Sequence, residues 1–452
     1  MMKSIYNIVT GTLLIFILLS VMITEDANAI PSFARKYGTS CGTCHVLAPK
    51  LNAFGRGFKN FGYIWPGGDK GYVKERPVPL GAPPQKRIWP KVTWPGEMPG
   101  SSPISFRIRN EFIYQPEGEI STDFVFPSLI NLHVGGSLTE SFTFLGTFHL
   151  YERGEQRLHQ FSVVVRDALG VRLPENLLNL KIGRFEPSAI PFSSVRQLSP
   201  FGLLLNSYDL QNPMAVTGGP HAHGESGFTF GASQSGVELF GSVGDRLLYA
   251  VGAVNGNGDA ASDDNSSKDF FGRIAYKLGG RSVTGRAPAD YSETRPWVDN
   301  SIRLGVFGYR GTLSAIEEEV GHEMDNTPEH GEMGNENEHP GEIQMSRWGG
   351  DLDIWLGNLN IAAAVMRGVD EDHSEKEDFT ATFLQGDYVI YPWLVAGLGH
   401  EMVLQEEMMD IERIVLSLSS SFRPNVIGTV GHQFFLNNSG EDRLVIAIDI
   451  AF

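Results

Sequence analysis

Cys41-Gly42-Thr43-Cys44-His45 is the stretch of this sequence best suited to chemistry. The spacing C-x-x-C-H is that of a c-type haem attachment site. Each thiol adds across a haem vinyl group to form a thioether, and the histidine that follows ligates the iron from the proximal face. These are the only two cysteines in 452 residues, so the motif uses both and leaves no thiol for a disulfide. A C-x-x-C pair also suits a redox dithiol or half of a zinc site. Zinc needs further ligands, and no second Cys or His pair stands near enough in sequence. A thioredoxin-like dithiol calls for a βαβ setting, which is not visible. The reading is one covalent haem c held by Cys41, Cys44 and His45, with His45 as the metal ligand and a surface dithiol as the alternative.

Covalent haem attachment needs export, and residues 1–29 read as a signal peptide. Lys3 gives a positive start, Ile8 to Ile23 is almost wholly apolar, and Ala27-Asn28-Ala29 is a small-residue cleavage site. The run is short for a spanning helix. The formal charge of −17 is unevenly spread. Residues 30–95 carry eleven Lys/Arg against Asp69 and Glu75, so the remainder is strongly acidic. No nucleic-acid partner is expected of such a chain. The division is a haem segment over 30–80, a Pro-rich linker over 81–103, and a third part over 104–452. Leu47, Leu51, Phe54 and Phe58 recur at helical spacing and predict one helix after the motif. Pro31 to Trp65 is too short to bury both a haem and a core of its own, so another part must cover the cofactor.

From residue 104 the period becomes two. Ile104, Phe106, Ile108, Phe112 and Tyr114 alternate with Ser105, Arg107, Arg109 and Glu111, and Ile446, Ile448, Ile450 and Phe452 close the chain in the same way. Ten-residue segments of this kind are the signature of a transmembrane antiparallel β-barrel. Strands are predicted over 104–115, 128–138, 141–152, 157–168, 177–186, 226–242, 247–256, 268–279, 300–311, 345–357, 358–369, 378–390, 392–404, 411–422, 424–436 and 442–452. That is about 16 strands, an even number, with short and long connections alternating. The connection 280–299 is long in the short phase and disturbs the pattern. The fold expected is mainly β, a barrel with a small α-helical monohaem segment; a soluble β-sandwich is the alternative.

The residues flanking the motif carry a family resemblance. Pro31-Ser32-Phe33-Ala34-Arg35-Lys36-Tyr37-Gly38 precedes it, and Leu51-Asn52-Ala53-Phe54-Gly55-Arg56-Gly57-Phe58-Lys59 follows. Over about 31–63 the chain resembles the fused outer-membrane monohaem cytochrome–porins of iron-oxidising bacteria, with Lys36 where the family commonly has Gln. The resemblance implies an electron conduit in the outer membrane of a Gram-negative bacterium, and implies iron as the donor less strongly.

The function expected is transfer of electrons between an extracellular donor, Fe(II) or another redox partner, and a periplasmic cytochrome c, with the barrel standing in outer-membrane lipid. That would make the chain an electron carrier or an Fe(II):cytochrome c oxidoreductase. The alternatives are a porin-like channel whose haem segment is a plug or sensor, export of electrons to an extracellular acceptor, and a peroxidase using Arg107, Arg109 and His133. The basic segment is expected to meet lumenal carboxylates such as Glu111. Met98, His133 and His149 are the candidates for second axial ligand. Residues 317–342 hold ten carboxylates, no Lys or Arg, and His322, His330 and His339; with Asp370, Glu371, Asp372, Glu377 and Asp378 they read as a solvated acidic rim or a site for divalent metal.

Overall fold

The computed structural model describes residues 31–74, 78–79, 87, 97–98, 103–118, 120–193, 196–208, 228–256, 263, 265–286, 295–314, 342–371, 376–405, 410–437 and 442–452. The expected leader, most of the 81–103 linker and the acidic stretch 317–341 lie outside these residues.

Sixteen antiparallel strands close into one barrel, each paired with its neighbours in sequence and the last with the first. They are β1 Ile104–Tyr114, β2 Thr122–Ser137, β3 Phe142–Glu152, β4 Glu155–Val165, β5 Asn179–Phe185, β6 Gln234–Val243, β7 Leu247–Val254 and β8 Asp269–Gly279. The second half is β9 Ser301–Ser314, β10 Glu342–Leu356, β11 Leu359–Glu371, β12 Lys376–Tyr391, β13 Leu394–Gln405, β14 Ile411–Arg423, β15 Val426–Phe435 and β16 Arg443–Ala451. Ile450 faces Ile108 across the closing seam.

Period two sorts the side chains. On β10, Met345, Arg347, Asp351, Asp353 and Trp355 are buried towards the lumen. On β11 the lumenal set is Asn360, Ala362, Ala364, Met366 and Asp370. The opposite face is apolar and exposed, with Val251, Ile274, Leu304, Val306, Leu384 and Leu398 among its residues. Exposed aromatics bound this band, Phe124, Phe126 and Phe270 towards one end and Tyr388, Tyr391 and Trp393 towards the other. No helix among the described residues is long and apolar enough to cross a membrane. The barrel's outer band is the surface that matches lipid.

Strand direction defines two ends. The turn end carries short connections such as 357–358, 392–393 and 424–425, together with the longer 166–178 and 280–300, the start of β1 and the end of β16; the loop end carries the other long ones, beside the two-residue turn 153–154. From the loop end, the connection between β5 and β6 folds inward. Its short helix Leu204–Ser207 is buried, the Leu204 amide donates to Glu401 Oε2 at 2.6 Å, and Phe228 and Phe230 join the same apolar cluster. This corrects the expected strand 226–242, which begins only at Gln234. Residues 228–233 carry aromatics that pack in the lumen, so their apolar character marks an inner core and not a lipid face.

The turn end is filled by the N-terminal segment. It contains α1, Ser32–Tyr37, the motif, a two-stranded ribbon His45–Leu47/Lys50–Leu51, and α2, Ala53–Asn60. The helix predicted from Leu47 onward is shorter: Leu47 and Leu51 lie in the ribbon, and only Phe54 and Phe58 are helical. The turn at Ala48-Pro49 breaks the periodicity that the apolar residues suggested.

The long 280–299 connection now has a reason. Asn60 Nδ2 donates to the Val283 carbonyl at 3.0 Å, the Arg281 guanidinium lies 5.6 Å from the Phe54 ring, and Trp297 packs with Val46 and Leu47. Gly57 touches the Gly285 backbone so closely that a Cβ there would overlap it. The connection is long because it wraps the plug.

Candidate haem site

Local geometry fixes the motif before any cofactor is considered. Cys41-Gly42-Thr43 forms one turn of 3₁₀ helix, and the chain reverses into the ribbon at His45. Asn52 holds this turn to α2. Its side-chain oxygen caps the helix by accepting from the Gly55 amide at 2.9 Å, while its Nδ2 donates to the Gly42 and Thr43 carbonyls at 3.1 and 3.0 Å. Asn52 is fully buried, and its own amide donates to the Cys44 carbonyl. Gly55 lies against that same carbonyl, with no room for a Cβ.

Cys41, Cys44 and His45 border a cavity of 450 Å³. That is within the ~300–1,000 Å³ of small-molecule and cofactor sites. The plug supplies Phe33, Tyr37, Phe54, Phe58, Tyr63 and Trp65; the barrel supplies Arg107, Leu129, His133, Leu145, His149 and His159. The aromatics brace one another: Phe54 and Tyr37 lie 4.8 and 5.1 Å from Trp65, and Phe33 stacks on Tyr63 at 6.2 Å. Tyr63 sits in the left-handed region at φ 63°, a costly conformation for a tyrosine, which places its ring against Phe33.

The donor set fits haem c. His45 Nδ1 lies 3.1 Å from the Pro49 carbonyl oxygen, which selects the tautomer that donates from Nδ1 and leaves the Nε2 lone pair for a metal. Burial lowers the His45 pKa, favouring the neutral form a ligand needs. The same burial weighs against a redox dithiol. Burial and the neighbouring Cys41 push the Cys44 thiol up to about 12, and burial raises Cys41 as well, whereas a reactive dithiol needs a depressed pKa. Among the described residues no group of three or more His, Cys, Asp or Glu is arranged to hold a metal ion.

Of the candidates for a second axial position, His133 and His149 both border the cavity. His133 Nδ1 is 3.0 Å from Thr147 Oγ1, and His149 Nδ1 is 2.6 Å from Glu152 Oε2. Sequence reasoning missed His159, which stacks on His149 at 4.6 Å and borders the same cavity. A register shift between Thr147 and Phe148 turns that part of β4 inward, and alternation alone does not reveal it. The Met98 backbone pairs with Val78, and its side chain lies outside the described residues. Arg107 and Arg109, offered for a peroxidase, are engaged by Asp449 and Glu111, at 2.6 and 2.7 Å.

The carboxylates that meet the plug are not the one expected. Glu111 pairs with Arg109 and Arg153 of the barrel. The plug's Arg56 pairs with Asp353 at 3.0 Å and Lys50 with Asp387. Lys36 pairs within the plug, with Asp69 at 2.5 Å. In the second acidic cluster, Asp370 is bound by Arg347 and Asp378 by Arg367, so neither stands as a free ligand.

No protein-family model and no curated protein matches the chain. Among solved structures, Salmonella typhi OmpF in complex with daunomycin aligns at a TM-score of 0.50 and 11% identity, covering 77% of this chain and 97% of that one. OmpT of Vibrio cholerae aligns at 0.48 and 10%, over 78% of this chain and 98% of that one. An anion-selective porin from Comamonas acidovorans aligns at 0.48 and 9%, over 77% and 98%. At these identities the likeness concerns the fold: the chain is a closed sixteen-stranded antiparallel β-barrel of the kind seen in outer-membrane porins.

Proposed function

We propose that this chain is a plugged outer-membrane barrel that carries one covalent haem and passes electrons between a donor outside the cell and a periplasmic cytochrome c. The observation that carries the reading is the cavity beside Cys41, Cys44 and His45, with the His45 Nδ1 turned to the Pro49 carbonyl. A bound haem c supplies a one-electron couple at that position. Cys41 and Cys44 would hold it by thioethers and His45 would ligate its iron, in a cavity also lined by Phe33, Phe54 and Phe58 of the plug and by residues of β1–β4. The resemblance of residues 31–63 to the fused cytochrome–porins supports the same reading and makes Fe(II) the first donor to try. One haem does not span an apolar band ~25 Å tall, so both partners must approach the plug.

The experiment is haem quantification and spectroscopy of the purified protein from its native membrane. One thioether-bound haem per chain, lost in Cys41→Ser/Cys44→Ser, and reduction on adding Fe(II) support the proposal. Haem-free protein that conducts small ions through planar bilayers would sink it in favour of a porin-like channel, the reading that the barrel fold supports.

A further inference from the structure

The haem-sized cavity adjoins a second one of 190 Å³, and the two share Leu51, Lys59 and Arg196. Six cationic side chains line the second cavity: Lys50, Arg56, Lys59, Arg196, Arg273 and Arg303. Four carboxylates pair with them. Asp387 serves Lys50, Glu186 serves Arg196, Asp351 serves Arg273, and Asp353 is shared by Arg56 and Arg303. Six cations less four anions leaves two positive charges without counter-charge. The neighbouring Lys181 and Glu238 pair with each other at 2.5 Å and cancel.

Lys59 is the clearest of the uncompensated cations. Among the described residues its ammonium has no hydrogen bond and no ion pair, and burial together with the Arg196 guanidinium presses its pKa down to about 7, against the pull of the more distant Glu186 and Glu238 carboxylates. Such a group is stabilised in a low-dielectric lumen when an anion sits beside it. Lys59 and Arg196 border the haem-sized cavity as well as the charged one. Arg107 also borders the haem-sized cavity, but Asp449 neutralises it.

Haem carries two carboxylates, its propionates, on the edge of the ring away from the vinyl positions that cysteines take. We infer that Lys59 and Arg196 hold these two propionates, an assignment that rests on the haem reading above. Lys59 brings one uncompensated charge to the edge of the 450 Å³ cavity, and Arg196 is shared between Glu186 and the second propionate; the other excess charge lies on Arg56 and Arg303, away from it. The same chemistry would suit a free anion such as inorganic phosphate, which the test separates.

The test is a redox titration of the haem in purified wild-type protein, Lys59→Gln, Arg196→Gln and Lys59→Arg. A positive charge beside a propionate disfavours the oxidised, more positive haem. Each neutral variant is therefore expected to lower the midpoint potential by the equivalent of about tenfold in the oxidised-to-reduced ratio, ~59 mV for one electron. Lys59→Arg should restore it. Infrared difference spectra should show propionate protonation moving towards neutral pH in the neutral variants. A haem-loaded Lys59→Gln with the wild-type potential overturns the assignment, and a phosphate-dependent shift of wild type that this variant abolishes gives the charges to a free anion. If the variants do not assemble, wild type alone decides. Its potential should stay level through the carboxylate range, because ion-paired propionates remain ionised there, and a steep fall with rising pH overturns the inference. Wild-type protein without covalent haem overturns the haem reading itself, a separate outcome.

Discussion

The plug meets the barrel differently on its two sides. Towards β10–β15 it is gripped. Arg56 and Lys50 pair with Asp353 and Asp387, both cations lie over the Trp355 ring at 5.4 and 5.8 Å, and Val46 and Leu47 enter an apolar cluster with Val389, Val395 and Ile427. Towards β1–β4 contact is confined to the turn end. There Phe33 packs on Gly135, Lys36 reaches Ser137 at 2.8 Å, and Thr143 donates to the Gly62 carbonyl at 2.7 Å. Deeper in the lumen the same side opens into the 450 Å³ cavity beside the motif.

The largest effect should come from removing the fit between α2 and the motif. Gly55→Ala puts a Cβ into the Cys44 carbonyl, and backbone cannot yield as a flexible side chain does. The helix must then leave the motif, and the covalent haem proposed for it should fall to a small fraction of wild type. Haem staining of the purified protein measures this, and heat-modifiable gel migration confirms a folded barrel. Full haem loading in this variant would break the argument that the Gly55 contact sets the site. Next comes Asp353→Asn on the gripped side. It leaves Arg56 and Arg303 without their shared carboxylate in a buried position, a loss of ~3–5 kcal/mol. The plug should loosen while the barrel persists, seen as faster proteolysis within residues 31–74 and raised bilayer conductance. An unchanged digestion rate would mean that the apolar cluster alone holds the plug.

These two positions show what could be read from sequence and what could not. Alternation along strands such as β10 and β11 follows directly from one wet and one lipid-facing side, so the count of about 16 strands was legible, although 226–233 was taken into a strand and 280–299 broke the alternation of short and long connections. Cys41, Cys44 and His45, singled out by their spacing, border one cavity. The partners of the plug were not legible. Asp353 and Asp387 lie about 300 residues away in sequence, and only barrel closure brings them to Arg56 and Lys50. Nor does alternation distinguish an inward-folded loop from a strand, which is why 228–233 was misassigned. His159 stayed hidden for a related reason, since a register shift moves it to the inner face. The 280–299 connection looked like an error in the count and is instead a contact surface for α2.

A milder test sharpens the comparison from inside the plug. Asn52→Ala removes the α2 cap and both hydrogen bonds to the motif turn, and should cost ~1–2 kcal/mol. Because the gripped side is untouched, the loss should appear as faster hydrogen exchange at Cys44 and Gly55 with Lys50 and Arg56 unchanged. Exchange that speeds up equally across the plug would mean that it unfolds as one unit, and that the two sides are not independent.

The smallest effect expected is one of pH, at the turn end where α1 meets the 65–69 turn. Asp69 accepts from Lys36 Nζ at 2.5 Å, from the Tyr37 hydroxyl at 2.8 Å and from the Trp65 amide at 3.1 Å. Burial acts to raise the Asp69 pKa, but these donors and the Lys36 charge prevail and hold it below the usual carboxylate value. A carboxyl whose folded pKa lies below its unfolded one stabilises fully above the unfolded value, ~3.9 for Asp, and loses that contribution as pH falls through the folded value. The tie should therefore hold through neutral and mildly acidic solution and release only below pH ~4. Trp65 stacks on Tyr72 and packs on Tyr37, so its fluorescence reports the release. In Asp69→Asn the acid transition should vanish and the signal at neutral pH should resemble that of wild type in acid. The gripped side offers the control. Arg56 and Lys50 are anchored by other carboxylates, so proteolysis near them should not follow the Trp65 transition. If it does, acid releases the whole plug, and the division between a held side and an open one is a property of neutral pH alone.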